Sequence, residues 1–200
     1  MTTVSANPIS WTNLTEAIEF YSRLGYLKIE APWVVTKGVW DFTSPAGKAG
    51  YWVGDRLLVA SAEQSFIEML GNGDLGLGKY QALTPCFRDD SYDVYRKPYF
   101  MKLELIEVLA LDKLTRISEV QTNSKTLGIL GDATGFFQRK LSVETIETNE
   151  NDPLRASKSF DILGRGIELG SYGSRRLPSG IHWVYGTGCA EPRLSTVMRS

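Results

Sequence analysis

Two arginines in this chain lie in segments whose residue types could do chemistry. In "GTGCAEPR", Gly186 to Arg193, Pro192 suits the first turn of a helix, which puts Arg193 where the backbone dipole is already positive. A cation there is unfavourable by a few tenths to about 1 kcal/mol unless an anion lies beside it. The small residues Gly186, Gly188 and Ala190 would let a ligand approach the backbone, and a helix start is a natural anion site. The second arginine ends "CFRDD", Cys86 to Asp90, and the run "YFMKLELIEV" follows after a polar segment. If both runs are strands, Met101, Leu103 and Leu105 share one face and Phe100, Lys102 and Glu104 the other. Folding back through 89–98 brings Arg88 near that second face. One ring, a guanidinium and a Lys and Glu pair would then line a surface. An exposed sheet face carrying an ion pair fits the same pattern, so the segment alone does not decide.

The elements that must position these residues read as a mixture. "TNLTEAIEFYSRLGY" has Leu14, Ala17, Ile18, Tyr21 and Leu24 at helical spacing, with Thr12 or Asn13 as cap and Gly25 as stop. "LKIEAPWVV" is extended and meets Pro32, "GYWVG" and "RLLVAS" are strands about a turn at Gly54 and Asp55, and "AEQSFIEML" is helical. "KYQALTPCFR" and "YFMKLELIEV" form a long antiparallel hairpin, followed by a helix from about Ala110 to Lys125. "LSVETIET", "SFDIL", "GIELGSYG" and "IHWVYG" supply further strands before a short terminal helix. Successive antiparallel strands with a few helices predict an α+β fold, an antiparallel β-sheet flanked by helices, in one domain over 1–200.

Composition narrows the functions. With 22 basic against 23 acidic side chains the chain has no overall cationic field, so non-specific attraction to nucleic acid or membrane is not expected. Two cysteines and one histidine argue against a disulfide framework and against a dense metal cluster, and fit a reducing cytoplasmic setting. No apolar run approaches the roughly 18 residues of a membrane span, and the N-terminus lacks a signal pattern.

In their order along the chain these features resemble the catalytic core of class II aminoacyl-tRNA synthetases. "LGYLKIEAPWVV" looks like the first motif, ending at Pro32; "CFRDD" followed by "FMKLEL" looks like the second; "GTGCAEPR" looks like the third, with Ala190 where a glycine is usual. The seryl-type branch is most similar: "ASAEQ", "NDPLRASKSFDI" and "IELGSYGSRR" resemble its substrate loop and two later segments. The resemblance implies ATP-dependent activation of an amino acid, or similar small carboxylate, as an acyl-adenylate with release of pyrophosphate. It implies that Arg88 binds the α-phosphate, that Asp90 meets the adenine amino group with a side chain one methylene short of the usual glutamate, and that Phe100 stacks on adenine. Arg96 would reach the terminal phosphates, Arg193 the γ-phosphate, and Gly188 would belong to the loop at the adenosine end. Glu168 would bind ATP through Mg²⁺, although its alternation with Ile167 and Leu169 also fits a solvated strand residue. Glu63 and Glu104 would hold the substrate's ammonium group, with Ser61 and Ser171 near its side chain. Some relatives hold zinc through cysteine and glutamate, but Cys86, Glu104 and Cys189 lack that spacing, and buried thiols are expected.

The first motif begins within about 25 residues of the start and the third ends close to the C-terminus, so no additional tRNA-binding domain is expected. The expectation is therefore a core that passes its acyl group to a small molecule, a carrier protein or RNA, with tRNA binding in doubt. A nucleotide- or amino-acid-binding regulatory paralogue and a minimal tRNA-charging enzyme remain open beside it. The first motif also implies a homodimer through Tyr26, Ile29, Trp33 and Val34, residues that an intrachain core would use equally well.

Overall fold

The computed structural model describes residues 9–44, 47–89, 92–148 and 152–200. Its elements, in chain order, are α1 (Trp11–Arg23), β1 (Leu27–Lys28), β2 (Val34–Val35), α2 (Lys37–Thr43), β3 (Trp52–Val53), β4 (Arg56–Leu58), α3 (Ala62–Asn72) and β5 (Gly78–Phe87). The second half holds β6 (Tyr99–Ala110), α4 (Glu119–Phe137), β7 (Val143–Thr148), β8 (Ser159–Gly164), β9 (Ile167–Arg176), β10 (His182–Glu191) and α5 (Arg193–Arg199). Seven strands form one sheet in the order β1-β5-β6-β10-β9-β8-β7, antiparallel except for β1 against β5, and β2-β4-β3 form a small second sheet. This is the expected antiparallel α+β arrangement.

Alternation along the strands separates the two faces. Leu103 and Leu105 of β6, Val184 of β10 and Tyr172 of β9 pack with Leu14, Tyr21, Ile129 and Phe136 of α1 and α4. Ile106, Trp183 and Tyr185 point the other way, onto Phe66 and Leu70 of α3. Each of these large buried side chains stabilises the fold by about 1.5–3 kcal/mol, so the register is firmly specified. A slip of one residue would turn Lys102 and Glu104 into the helix layer.

The β5–β6 hairpin pairs Gly78 with Val108 through to Phe87 with Tyr99, as its alternation predicts. Four expectations change. The α1 cap is Ser10, whose hydroxyl accepts from the Asn13 amide at 3.3 Å, because Asn13 itself is buried and donates to Glu191 at 2.7 Å. The helix expected from Ala110 begins only after Ser118. Ala110 is the last residue of β6, paired with His182, and a capping box between Ser118 and Gln121 starts α4. That helix then runs through Gly128, Gly131 and Gly135, because burial of Ile129, Ala133, Phe136 and Phe137 outweighs the helix cost of about 1 kcal/mol per glycine. Third, "GTGCAE" is not a loop: β10 continues to Glu191 and is buried throughout between β6 and β9. Fourth, α2 enters between β2 and β3 where no helix was anticipated, with Trp40 buried on its inner side.

Of the residues expected at a dimer contact, Tyr26 is buried with its hydroxyl on Asp132 at 2.9 Å, and Ile29 packs against the α3 cluster. Val34 pairs with Leu58 in the small sheet, and Trp33 is exposed. Among the described residues, no helix is long and apolar enough to cross a membrane.

Candidate functional site

On the face opposite α1 and α4, the sheet leaves a cavity of about 220 Å³ beside α3. Its polar wall includes Ser61 and Glu63 from the start of α3, Lys102 and Glu104 from β6, Ser171 and Arg175 from β9, and Arg88 just beyond β5. Ser61 reaches this position because it caps α3, accepting from the Glu63 amide at 3.4 Å, and its own hydroxyl donates to Glu104 at 2.6 Å. The other Glu104 oxygen accepts from Lys102 at 2.9 Å, two residues away on the same strand face. Glu104 is only 2% exposed, a position a carboxylate occupies only when satisfied.

Glu63 is held still more tightly. One oxygen accepts from the indole of Trp183 at 2.7 Å, and the other is bound by the Arg175 guanidinium. Arg175 also donates through Nε to Asp152 at 2.6 Å, and its guanidinium carbon lies 4.5 Å from the centre of the Tyr185 ring. Burial alone would pull Arg175 down, but Glu63, Tyr185 and Asp152 reverse that and raise its pKa above the ordinary arginine value. Glu63 and Glu104 thus line one cavity, and each arrives already partnered inside the chain.

Beyond this pocket lies a more open cationic region. Arg88 donates to the Ala60 carbonyl at 3.1 Å and lies over Phe100, 5.1 Å from the ring centre. Its amide donates to the Pro98 carbonyl at 3.1 Å, which closes the base of the loop between β5 and β6. Arg193 donates to the carbonyl and a carboxylate oxygen of Glu168 at 3.3 and 3.4 Å. Burial pulls the Arg193 pKa down, Glu168 opposes this, and the like charges of Arg88 and Arg96 pull it further down. Three guanidiniums therefore share one field. Arg96 is placed by Asp93, which accepts from the Tyr95 and Arg96 amides at 2.7 Å each, bonds that hold the Asp93 carboxyl below the usual range.

The structure thus brings Ser61, Glu63, Glu104, Ser171 and Arg88 to one cavity, and Arg88, Arg96, Phe100, Glu168 and Arg193 to the region beside it. Asp90 lies outside the described residues. Gly188 has a packing reason for lacking a side chain: a Cβ there would meet Tyr21 at 3.0 Å and Leu103 at 3.2 Å on the helix side. Pro192 occupies the position before α5 rather than its first turn, and Arg193 is the first helical residue. Both cysteines are buried, which pushes the Cys86 thiol up to about 11 and Cys189 up as well. Among the described residues, no three His, Cys, Asp or Glu side chains converge as metal ligands.

Sequence reasoning missed Arg175, Asp152 and Trp183. The available signal was "SRR" closing a strand: with a period of two, one of Arg175 and Arg176 has to face inward.

No protein-family model matches the chain. Among curated proteins, the aspartate–tRNA(Asp/Asn) ligase of Prochlorococcus marinus strain AS9601 is 32% identical over 93 residues, covering 44% of this chain and 14% of that protein. Among solved structures, seryl-tRNA synthetase from Pyrococcus horikoshii, complexed with ATP, superimposes on 93% of this chain with a TM-score of 0.73 and 19% identity. A pyrrolysyl-tRNA synthetase from Desulfitobacterium hafniense superimposes on 98% with a TM-score of 0.72 and 12% identity, using 71% of its own chain. The fold is that of a class II aminoacyl-tRNA synthetase catalytic core. The seryl-tRNA ligase of Naegleria fowleri, in complex with AMP, gives a TM-score of 0.69 at 19% identity. The chain spans about half the length of the two seryl enzymes, 49% and 52%, and a far smaller part of the curated relatives.

Proposed function

We propose that this chain is an ATP-dependent ligase that activates an amino acid, or a similar small carboxylate, as its acyl-adenylate with release of pyrophosphate. The observation that carries the reading is a cavity lined by Arg88, Ser61, Glu63 and Glu104, with Arg88 5.1 Å from the centre of the Phe100 ring and Arg193 held only loosely by Glu168 at 3.4 Å. Mutually repelling guanidiniums are costly without an anion and well suited to a polyanion. The neighbouring structures with ATP and AMP bound are consistent with ATP use by this fold.

In this reading Arg88 neutralises the charge that develops on the α-phosphate, while Arg96 and Arg193 hold the pyrophosphate end. Phe100 stacks on the adenine. Glu63 and Glu104 each have two lone-pair sites beyond those their chain partners occupy, so both can still accept from a substrate ammonium. With the ammonium held there, the substrate carboxylate is the nucleophile and no side chain need attack. Glu168 is half exposed and bonded to Arg193 only at 3.4 Å, which suits a Mg²⁺ that takes its remaining ligands from phosphate and water. When bound, that ion would neutralise phosphate charge. The acyl group then passes to an amine, thiol or hydroxyl on a small metabolite, a carrier protein or RNA. A homodimer through the first motif remains part of the proposal and rests on the exposed Trp33 and Leu27.

Amino-acid-dependent exchange of labelled pyrophosphate into ATP, measured across the standard amino acids, tests this reading. Exchange with one amino acid is expected. Silence with all of them, in a protein that binds ATP, sinks it.

A further inference from the structure

Arg175 and Arg176 are neighbours on β9, so the alternation that sends the first into the cavity sends the second away from it, towards α4. There a groove of about 710 Å³ lies between the start of α4, the end of β7, segment 153–158 and the turn from β9 to β10. Its cations are Arg155, Lys158 and Arg176, and its carboxylates are Glu119 and Glu147. Glu147 is committed to Lys158 at 2.8 Å. Arg176 has no carboxylate partner among the described residues: one terminal nitrogen donates to the Ile117 carbonyl at 3.3 Å and to Nδ1 of His182 at 2.9 Å. Those contacts orient the guanidinium and leave its Nε and other terminal nitrogen for a ligand.

Two further polar atoms of the lining residues lack a partner. His182 is buried, and because an arginine can only donate, its Nδ1 accepts and the ring proton sits on Nε2, which bonds nothing among the described residues. The ring is neutral, since burial and then the Arg176 charge push its pKa down to about 4. The Thr148 hydroxyl at the end of β7 is likewise unmatched. A buried donor left unsatisfied costs about 1–3 kcal/mol, a cost that a ligand oxygen in the groove would relieve. Donors from β7, β9 and β10 come from several directions, which suits a tetrahedral phosphate better than a planar carboxylate. On the other side of Arg176 a hollow of about 550 Å³ adds Lys113 and Arg116, while its Asp112 is spent on the Leu114 and Thr115 amides. Among the described residues, no phenylalanine, tyrosine or tryptophan lines either hollow, so a nucleobase would find no such ring to stack on.

We propose that this groove binds a small phosphate monoester without a nucleobase, of the sugar or polyol phosphate class, through Arg176, His182 and Thr148. The site is distinct from the adenylation region across β9. The Thr122 and Ser157 hydroxyls, whose protons go to the Ser118 and Lys158 carbonyls, remain acceptors for hydroxyls on the organic part. Nothing in the inference depends on the adenylation reading.

His182 is the single histidine of the chain, so its imidazole reports on the groove without overlap. Protein labelled at the histidine nitrogens is followed by NMR during titration with glycerol phosphate, with acetate at matched ionic strength, and with a short RNA lacking terminal phosphates. The Nε2 resonance should shift saturably with glycerol phosphate below about 10 mM, with at least about tenfold higher affinity than for acetate. Arg176→Gln keeps a donor for Nδ1 but removes the charge, and should weaken binding by about tenfold or more. Arg193→Ala should leave it unchanged. If Arg176→Gln fails to fold, Lys158→Gln, a change at an exposed side chain, takes its place with about threefold weakening expected. The absence of a saturable shift overturns the site, and so does acetate binding equally well or RNA binding more tightly than the ester. Unchanged affinity in the folded groove variant, or loss of binding in Arg193→Ala, places the phosphate elsewhere and overturns it as well.

Discussion

Among the described residues, the charges around Arg88, Arg96 and Arg193 are loosely matched, with Glu168 at 3.4 Å and Asp93 at 3.8 Å as the carboxylates in reach, whereas around Glu63, Glu104 and Arg175 every charge has an opposite partner in close hydrogen-bonded contact. Both regions lie on one sheet face, yet they use electrostatics differently. The first keeps cationic field unspent, which destabilises the empty protein slightly and, in the proposed reading, would serve a polyanion. The second spends its charge internally, so its geometry is set before any substrate enters. Removing a charge from the first region should therefore cost function and little stability. In the second, the same kind of change should cost stability outright.

The sharpest way to break that contrast is Arg193→Ala. Pyrophosphate exchange should fall by about a thousandfold or more. The thermal midpoint should stay within about 2 °C, because a loosely paired, partly exposed arginine contributes little to folding. Exchange at the wild-type rate would remove Arg193 from the phosphate end. Arg175→Ala is the counterpart. It leaves Glu63 and Asp152 buried without their cation, and urea unfolding should show a loss of about 3–5 kcal/mol. A loss below about 1 kcal/mol would mean that the triad is not the internally spent charge described here.

His182 extends the contrast to a buried group that lies outside both regions. It is 1% exposed at the start of β10, its Nδ1 accepts from Arg176 at 2.9 Å, and burial followed by the Arg176 charge pushes its pKa down to about 4. The folded protein therefore keeps it neutral where the unfolded chain, with a pKa near 6.5, takes up a proton. Stability from this group is complete above about pH 6.5 and is lost as pH falls towards 4, by at most about 3 kcal/mol. Denaturation measured from pH 7 to 4 should show that slope, and His182→Gln should flatten it. An equal slope in the variant would assign the acid sensitivity to other groups.

How much of this could be read in the sequence depended on the distance over which each feature is determined. The faces of β6 follow from a period of two, so Phe100, Lys102 and Glu104 were legible from ten residues. The β5–β6 hairpin was legible because both its strands and its polar connection lie in one stretch. The course of β10 was not. "GTGC" has turn composition, and only the packed Tyr172 ring, 2.5 Å from where a Gly186 Cβ would stand, explains why a central strand needs a glycine there. The extent of α4 beyond Lys125 was not legible either, since the apolar face that holds its glycine-containing second half together is satisfied by α1 and the sheet. The pairing of Glu63 with Arg175 spans 112 residues, and nothing local at "SAE" announces it. Consequently the sequence pointed to Glu63 as a substrate contact and was silent about the guanidinium that already occupies it.

The smallest expected effect concerns Phe100, where the two uses of charge come closest together. Its ring lies 5.1 Å from the Arg88 guanidinium carbon, so it can act as a stacking surface for adenine, as a support for Arg88, or as both. Phe100→Leu separates these roles, because leucine keeps an apolar wall but offers no π-face. Loss of base stacking should raise the KM for ATP by about fivefold to a hundredfold and leave kcat close to the wild-type value. Loss of support for Arg88 would instead lower kcat, since in the proposed reaction that arginine meets charge that appears only as the phosphoryl bond changes. Phe100→Trp supplies the second arm: a larger π-face should lower KM if the ring meets the base. A fall in kcat with KM unchanged in Phe100→Leu would place the ring in the cationic region as scaffolding for Arg88, and would make the loosely paired end more preorganised than its ion pairs suggest.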